Sequence, residues 1–369
     1  VNGRRGGPGT ATAVRPAGTA AGGAGEPGHR PERAARERAL VGTGALTRLA
    51  LRRDRVLLPV WIGVFAVTAA GSASATTGLY PTAAERVAAV QNLNDTAALV
   101  ALYGRIYQPT LGALSMLKLS GLFSALLGVV VIVAMVRHTR AEEETGRLEL
   151  LGAAVVGRYA PLAAALLVTA VFSVVLGLLT AAALIGTGLP AAGSLAFGLA
   201  WAGVGLAYAA VAAVAAQLTT SARSAIGLGA AFLGATYLIR AVGDTAGADG
   251  PGWLSWLSPI GWAQQVRSYA GERWWVLLLP VAFAAALSAG AYALVARRDL
   301  GAGLLADRPG PATAAPSLRS PLALAWRLHR GALLGWTAGF AVLGAVFGNI
   351  AANLDGFLAS PRARDLFLE

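Results

Sequence analysis

Three consecutive carboxylates, Glu142, Glu143 and Glu144, open the run "RAEEETGRLELLG", in which Gly146, Arg147, Leu148, Glu149 and Leu151 follow. Paired carboxylates can serve acid–base catalysis or bind metal, but they need companions to do so. Those companions are missing from this sequence. There is no Cys, and the three histidines, His29, His138 and His329, are too scattered for a metal cluster. A phosphate-binding loop needs a Lys for the β- and γ-phosphates, whereas the only Lys is Lys118, preceded by Leu117. Neither an aspartate-rich diphosphate motif nor a serine elbow is present. The sequence therefore offers no catalytic residue, no cofactor-binding residue and no metal ligand, and the chain is not read as an enzyme.

The carboxylate run has two physical readings. As a helix it would pair Glu143 with Arg147 at i,i+4 and Glu144 with Arg147 at i,i+3. Leu148 and Leu151 would then share a face with Val155, giving a short amphipathic helix suited to a groove in a soluble partner. Gly146 would mark the start or a kink of that helix. The other reading is a solvated loop whose carboxylates offset nearby arginines. Composition leaves both open.

The surrounding elements explain why the run is conspicuous. Of the 369 residues, 56% are hydrophobic and 13% charged, and the mean hydropathy is +0.61. A soluble domain carries about twice that charged fraction. Several apolar runs reach the roughly 20 residues that cross a bilayer as helix. Aromatics are few and alternating strands absent, which disfavours a membrane β-barrel. The fold class expected is an all-α polytopic membrane protein.

Spans are expected at 56–76, 115–136, 159–187, 193–217, 224–241 and 274–296, with a seventh at 332–350. Arginine is concentrated at 48–55, at 137–158, at Arg223 and at 297–298. All of these share one side if the N-terminus is cytosolic, as the positive-inside rule requires. This placement at span ends, rather than nucleic-acid binding, accounts for the excess of basic residues. Residues 1–39, rich in Gly, Ala, Pro and Arg, read as a disordered cytosolic tail. Residues 40–55 place leucines among arginines and read as an interfacial helix. On the other side, 77–114 contains an amphipathic helical pattern, "AAERVAAVQNLNDTAALVAL". There too, Trp253, Trp256 and Trp262, with Pro259 breaking the run, predict short helices at the membrane boundary.

The stretch 49–70 repeats in one gapless register at 324–345, pairing Arg52 with Arg327, Arg55 with Arg330, Trp61 with Trp336 and Phe65 with Phe340. A polar, Gly/Pro-rich segment at 297–323 precedes the second copy, as a linker would. The expected organisation is one six-span unit, 56–296, followed by the start of a second at 324–369. The second unit would end after one span, so the chain reads as a fragment or a truncated gene product, and a two-unit assembly would need the missing residues or a second copy of the chain.

The motifs "RAEEETGRLELLGAAVVGR", "WLSPIGW" before span six and "RRDLGAGLL" after it together resemble the permeases of ATP-binding-cassette type-2 exporters. They are most similar to the actinobacterial polyketide-antibiotic and multidrug efflux group. The resemblance covers residues 40–369. It implies a coupling helix at Glu142–Leu151 that docks a separately encoded ATPase, which would bind the ATP and Mg. It also implies a connecting helix at 40–55, outside helices at Trp253–Tyr269, and export of small hydrophobic compounds across a bacterial plasma membrane. Family members carry two six-span halves, and here the second half ends after one span. The rival readings are an ion-driven carrier and a non-transporting membrane assembly subunit. The scarcity of ionisable side chains inside the spans disfavours the carrier.

Overall fold

A computed structural model describes residues 39–147, 155–246, 250–299, 302–305, 312–313, 315–318 and 320–358. Residues 1–38, nearly all of the expected tail, lie outside it, as do Leu148, Glu149 and Leu151. Among the described residues the regular structure is helical throughout. Six stretches are long and apolar enough to cross a membrane: Leu57–Leu79, Leu119–Glu144, Ala160–Gly186, Ala191–Leu218, Ala222–Thr245 and Trp274–Val295. The chain is an all-α, multi-pass membrane protein. The six expected spans match these stretches to within a few residues at most ends. The second runs on to Glu144, well past its expected end, so that its last turns carry the charges.

In chain order the helices that position the site are α1 (Thr43–Arg53), α2 (Leu57–Leu79), α3 (Ala83–Asp95), α4 (Ala97–Tyr103) and α5 (Leu111–Ser115). A π-helical turn, Leu119–Phe123, leads into α6 (Ser124–Arg137), and α7 (Arg140–Glu144) follows. Next come α8 (Ala160–Gly186), α9 (Ala191–Leu218) and α10 (Ala222–Thr245). The last are α11 (Pro259–Gln265), α12 (Leu278–Val295) and α13 (Pro321–Leu358).

Helix α9 is the centre of the bundle, and small residues put it there. Gly177 of α8 and Gly198 of α9 face each other so closely that a Cβ on either would lie 2.3 or 2.1 Å from the other's carbonyl oxygen. Such contacts replace the hydrophobic effect as the packing force between helices in lipid. Trp201 is buried on α9. It meets the Phe65 ring edge-on at 5.2 Å and donates to Ser124 Oγ at 3.1 Å, joining three spans. Span one instead exposes Val60, Val64 and Val67, a surface suited to lipid.

The two copies of the repeat fold differently. In the first, the chain turns at Asp54–Val56 between α1 and α2. Pro59, in the first turn of α2, cannot donate to the Arg55 carbonyl, and Asp54 is drawn away by partners on α6. In the second copy the same register has Leu334 and His329, and α13 runs unbroken through both. The expected single helix in the first outside loop is likewise two, α3 and α4. Thr96 is extended between them, and Thr82 and Glu85 form a capping box at the start of α3.

Candidate functional site

The carboxylate run lies where five spans end together, and its side chains tie those ends to one another. Asp54, fully buried after α1, approaches His138 Nε2 at 2.6 Å through one oxygen. Arg137 lies 3.0 Å from the other oxygen, an ion pair angled too poorly for a hydrogen bond. These contacts fasten the start of span one to the end of α6.

Glu143 is the hub. Its side chain is 8% exposed and ion-paired with Arg140 and Arg298, which are 1% and 7% exposed. Arg140 also donates to the carbonyls of Thr219, after α9, and of Ala302, the latter at 2.9 Å. Arg298, just past α12, donates to Gln217 Oε1 of α9 at 2.7 Å. Residues 302–305 then fold against the end of α9: Leu305 N donates to the Leu218 carbonyl at 2.8 Å, and Gly303 sits so close to Thr219 that a Cβ would lie 2.7 Å from its backbone. Glu144 accepts from the backbone N–H of Ala222 at 2.9 Å, satisfying a free donor at the start of α10. Glu142 pairs with Arg53 at the end of α1, and with Arg147 at 3.5 Å.

The expected Glu143–Arg147 and Glu144–Arg147 pairs are therefore replaced. Helix α7 stops at Glu144, and the chain turns at Thr145–Gly146, with Gly146 at φ 71°. In that left-handed turn Arg147 is no longer one helical turn from Glu143. Buried Arg140 and Arg298 claim Glu143 because an uncompensated charge there is costly. Arg147 is left 58% exposed. Beside it a cleft of about 240 Å³ opens between α1 and α8, apolar along Leu46, Leu49 and Ala164 and charged at Arg53, Glu142 and Arg147.

At the opposite end of the bundle, a 3-10 turn, Gly252–Leu257, and α11 form the two short helices expected around the tryptophans, with Pro259 in the first turn of α11. Trp253 is exposed, Trp256 stacks on Trp275 with centroids 5.7 Å apart, and Trp262 donates to the Trp256 carbonyl at 2.5 Å. Gly261 is required, since a Cβ would lie 1.8 Å from the Ser255 carbonyl oxygen.

Sequence reasoning missed the ion pair beneath them. Arg240 and Asp244 of α10, one helical turn apart and both buried, pair at 2.9 Å. Arg240 also donates to the Ala101 carbonyl of α4 at 2.6 Å, and Ser255 donates to Asp244 at 2.6 Å. Both loops at this end of the bundle are thereby fixed to the end of span five. The i,i+4 spacing was a visible signal for this pair. Nothing in the sequence announced Asp54, His138, Gln217 and Arg298, whose partners are remote in the chain.

Six spans, an internal hub at one end and interlocked short helices at the other define a multi-pass helical membrane bundle. The family model for the multidrug efflux system permease Rv1217c, C-terminal domain, matches residues 45–295 and 318–369, and the chain belongs to that family. The multidrug efflux system permease protein Rv1217c of Mycobacterium tuberculosis is 47% identical to it over 343 residues, 92% of this chain. The aligned region spans 61% of that relative's length.

Proposed function

We propose that the chain forms the membrane part of an ATP-driven multidrug exporter of the ATP-binding-cassette type. In this reading it moves small hydrophobic compounds out of a bacterial cell, its N-terminus is cytosolic, and it relies on an ATPase encoded separately. Family membership supports export, and the relative's name supports a multidrug role. The gapless pairing of Arg52 with Arg327, Trp61 with Trp336 and Phe65 with Phe340 supports a second half built like the first.

The observation that carries the coupling part is the Glu143 hub. A partner pressing on the carboxylate run would act on residues 140–144, already tied to the ends of spans one, two, four, five and six. The chain's own residues then pass displacement into the bundle; nucleotide chemistry is the partner's. Exposed Arg147 and the cleft beside it are the surface left for docking, while Glu143 holds the segment in place. An ion-driven carrier needs a titratable group free to exchange protons within a span. The buried pair Arg240–Asp244 is committed to each other and to loop partners near a helix end, which favours the ATP-driven reading.

Co-purification tests the docking. The variant Arg147→Glu with Glu149→Lys should lose the ATPase during purification while the permease keeps its melting temperature. Unchanged association would overturn the assignment.

A further inference from the structure

Two residues of the loop after α11 take left-handed backbone without being glycine: Arg267 at φ 54° and Tyr269 at φ 63°. Such residues persist where the surroundings over-determine them, and they cluster at binding sites. Tyr269 shows what does the determining. Its ring lies against Gly112 and Gly193, where an added Cβ would come within 2.4 and 2.1 Å of it. Its hydroxyl is 2.9 Å from Ser194 Oγ, and its carbonyl accepts from Thr110 Oγ1 at 2.9 Å. Burial pushes that hydroxyl's pKa up to about 12, so it stays a neutral hydrogen-bonding group.

Anchored this way, the loop holds Arg267 flat over the Tyr107 ring, 4.1 Å from its centre. Arg267 Nε is buried there without a hydrogen-bond partner. Arg140 Nε and Arg240 Nε are unpaired too, but those guanidiniums have carboxylate and carbonyl partners, whereas Arg267 has neither among the described residues and borders a cavity. Arg267, Arg105, Tyr107 and Gln264 edge a cavity of about 40 Å³, with Ile106 and Met116 supplying apolar wall. That is room for about three water-sized groups, the size of a carboxylate. Among the described residues Arg105 is bonded to the carbonyls of Asp244, at 2.8 Å, and Ala246, and Asp244's own carboxylate is taken by Arg240 and Ser255. Among the described residues, neither Arg105 nor Arg267 has a carboxylate partner.

We propose that this cavity binds the anionic oxygen head group of an amphiphile, with Arg267 presenting the forked donors and the apolar wall meeting the adjoining body. The group has two sources, an acidic compound being exported or the phosphate of an anionic lipid. Binding does not depend on what drives transport, so this proposal and the ATP-driven reading fail separately.

Calorimetric titration of the purified full chain in phosphatidylcholine nanodiscs tests it, with benzoate as probe and neutral benzamide as control. Benzoate should bind saturably and benzamide should not. Asn tolerates the left-handed region, so Arg267→Asn should fold and bind benzoate about tenfold more weakly or worse. Arg86→Gln, in the first outside loop and away from the cavity, should bind as the parent does. Arg267→Lys keeps the charge and loses the fork; its intermediate affinity reads the same point where the Asn variant does not fold. Repeating the titration in phosphatidylglycerol discs separates the sources: competition identifies a net-anionic lipid head group as an occupant, and its absence identifies the carboxylate of a soluble compound. No saturable benzoate binding, equal benzamide binding, or undiminished binding in both Arg267 variants would overturn the proposal.

Discussion

Glu143 and Arg147 are four residues apart, yet they have opposite fates. Glu143 is ion-paired with two buried guanidiniums, and Arg147 reaches into solvent. Removing one partner of a buried ion pair typically costs about 3–5 kcal/mol, because the remaining charges stay buried. Glu143→Gln should therefore lower the melting temperature of the detergent-solubilised protein sharply. Arg147→Ala, which removes only an exposed contact, should stay within about 0.5 kcal/mol of the parent. Thermal unfolding of the two variants checks this, and a reversed order would contradict the hub. The two effects have different consequences for function. A loss of transport in Glu143→Gln would follow from a loosened bundle, whereas in an Arg147 variant it would report on the proposed partner.

At the scale of elements, the α8–α9 hairpin depends on glycines that no side chain can replace. Gly198→Ala would place a methyl against the Gly177 carbonyl, and it should lower the melting temperature. A methyl added at Gly63 of α2 would meet nothing within 4 Å, so Gly63→Ala should leave stability unchanged or raise it by up to about 1 kcal/mol through helix propensity. Melting both variants side by side separates close approach from helix propensity. The spans themselves were legible, since twenty apolar residues bounded by arginine leave little else to predict. Short elements were not. The break between α3 and α4 falls at Thr96 inside a continuous helical pattern, and the pause between α1 and α2 needs Pro59 and the remote partners of Asp54 together. The carboxylate run could not be assigned from sequence for the same reason. Its helix ends at Glu144, ahead of the left-handed Gly146, and Glu143 is held by Arg298, 155 positions later in the chain.

At the scale of the molecule, charge is sorted to the two ends of an apolar bundle, and each end is cross-braced. One end joins five spans through Glu142, Glu143, Glu144 and Asp54. The other joins both of its loops to span five through Arg240 and Asp244. A bundle braced at both ends responds to force as linked helices, which suits a permease driven from outside the bilayer. The central claim is that this drive is ATP in a partner subunit, and energy dependence tests it most directly. Uptake of a fluorescent hydrophobic compound should be followed in inverted vesicles containing the permease and its ATPase, with ATP supplied and the proton gradient collapsed by an uncoupler. Accumulation that continues with ATP and stops without it is the predicted result. Accumulation that ceases on uncoupling while ATP remains would contradict the account.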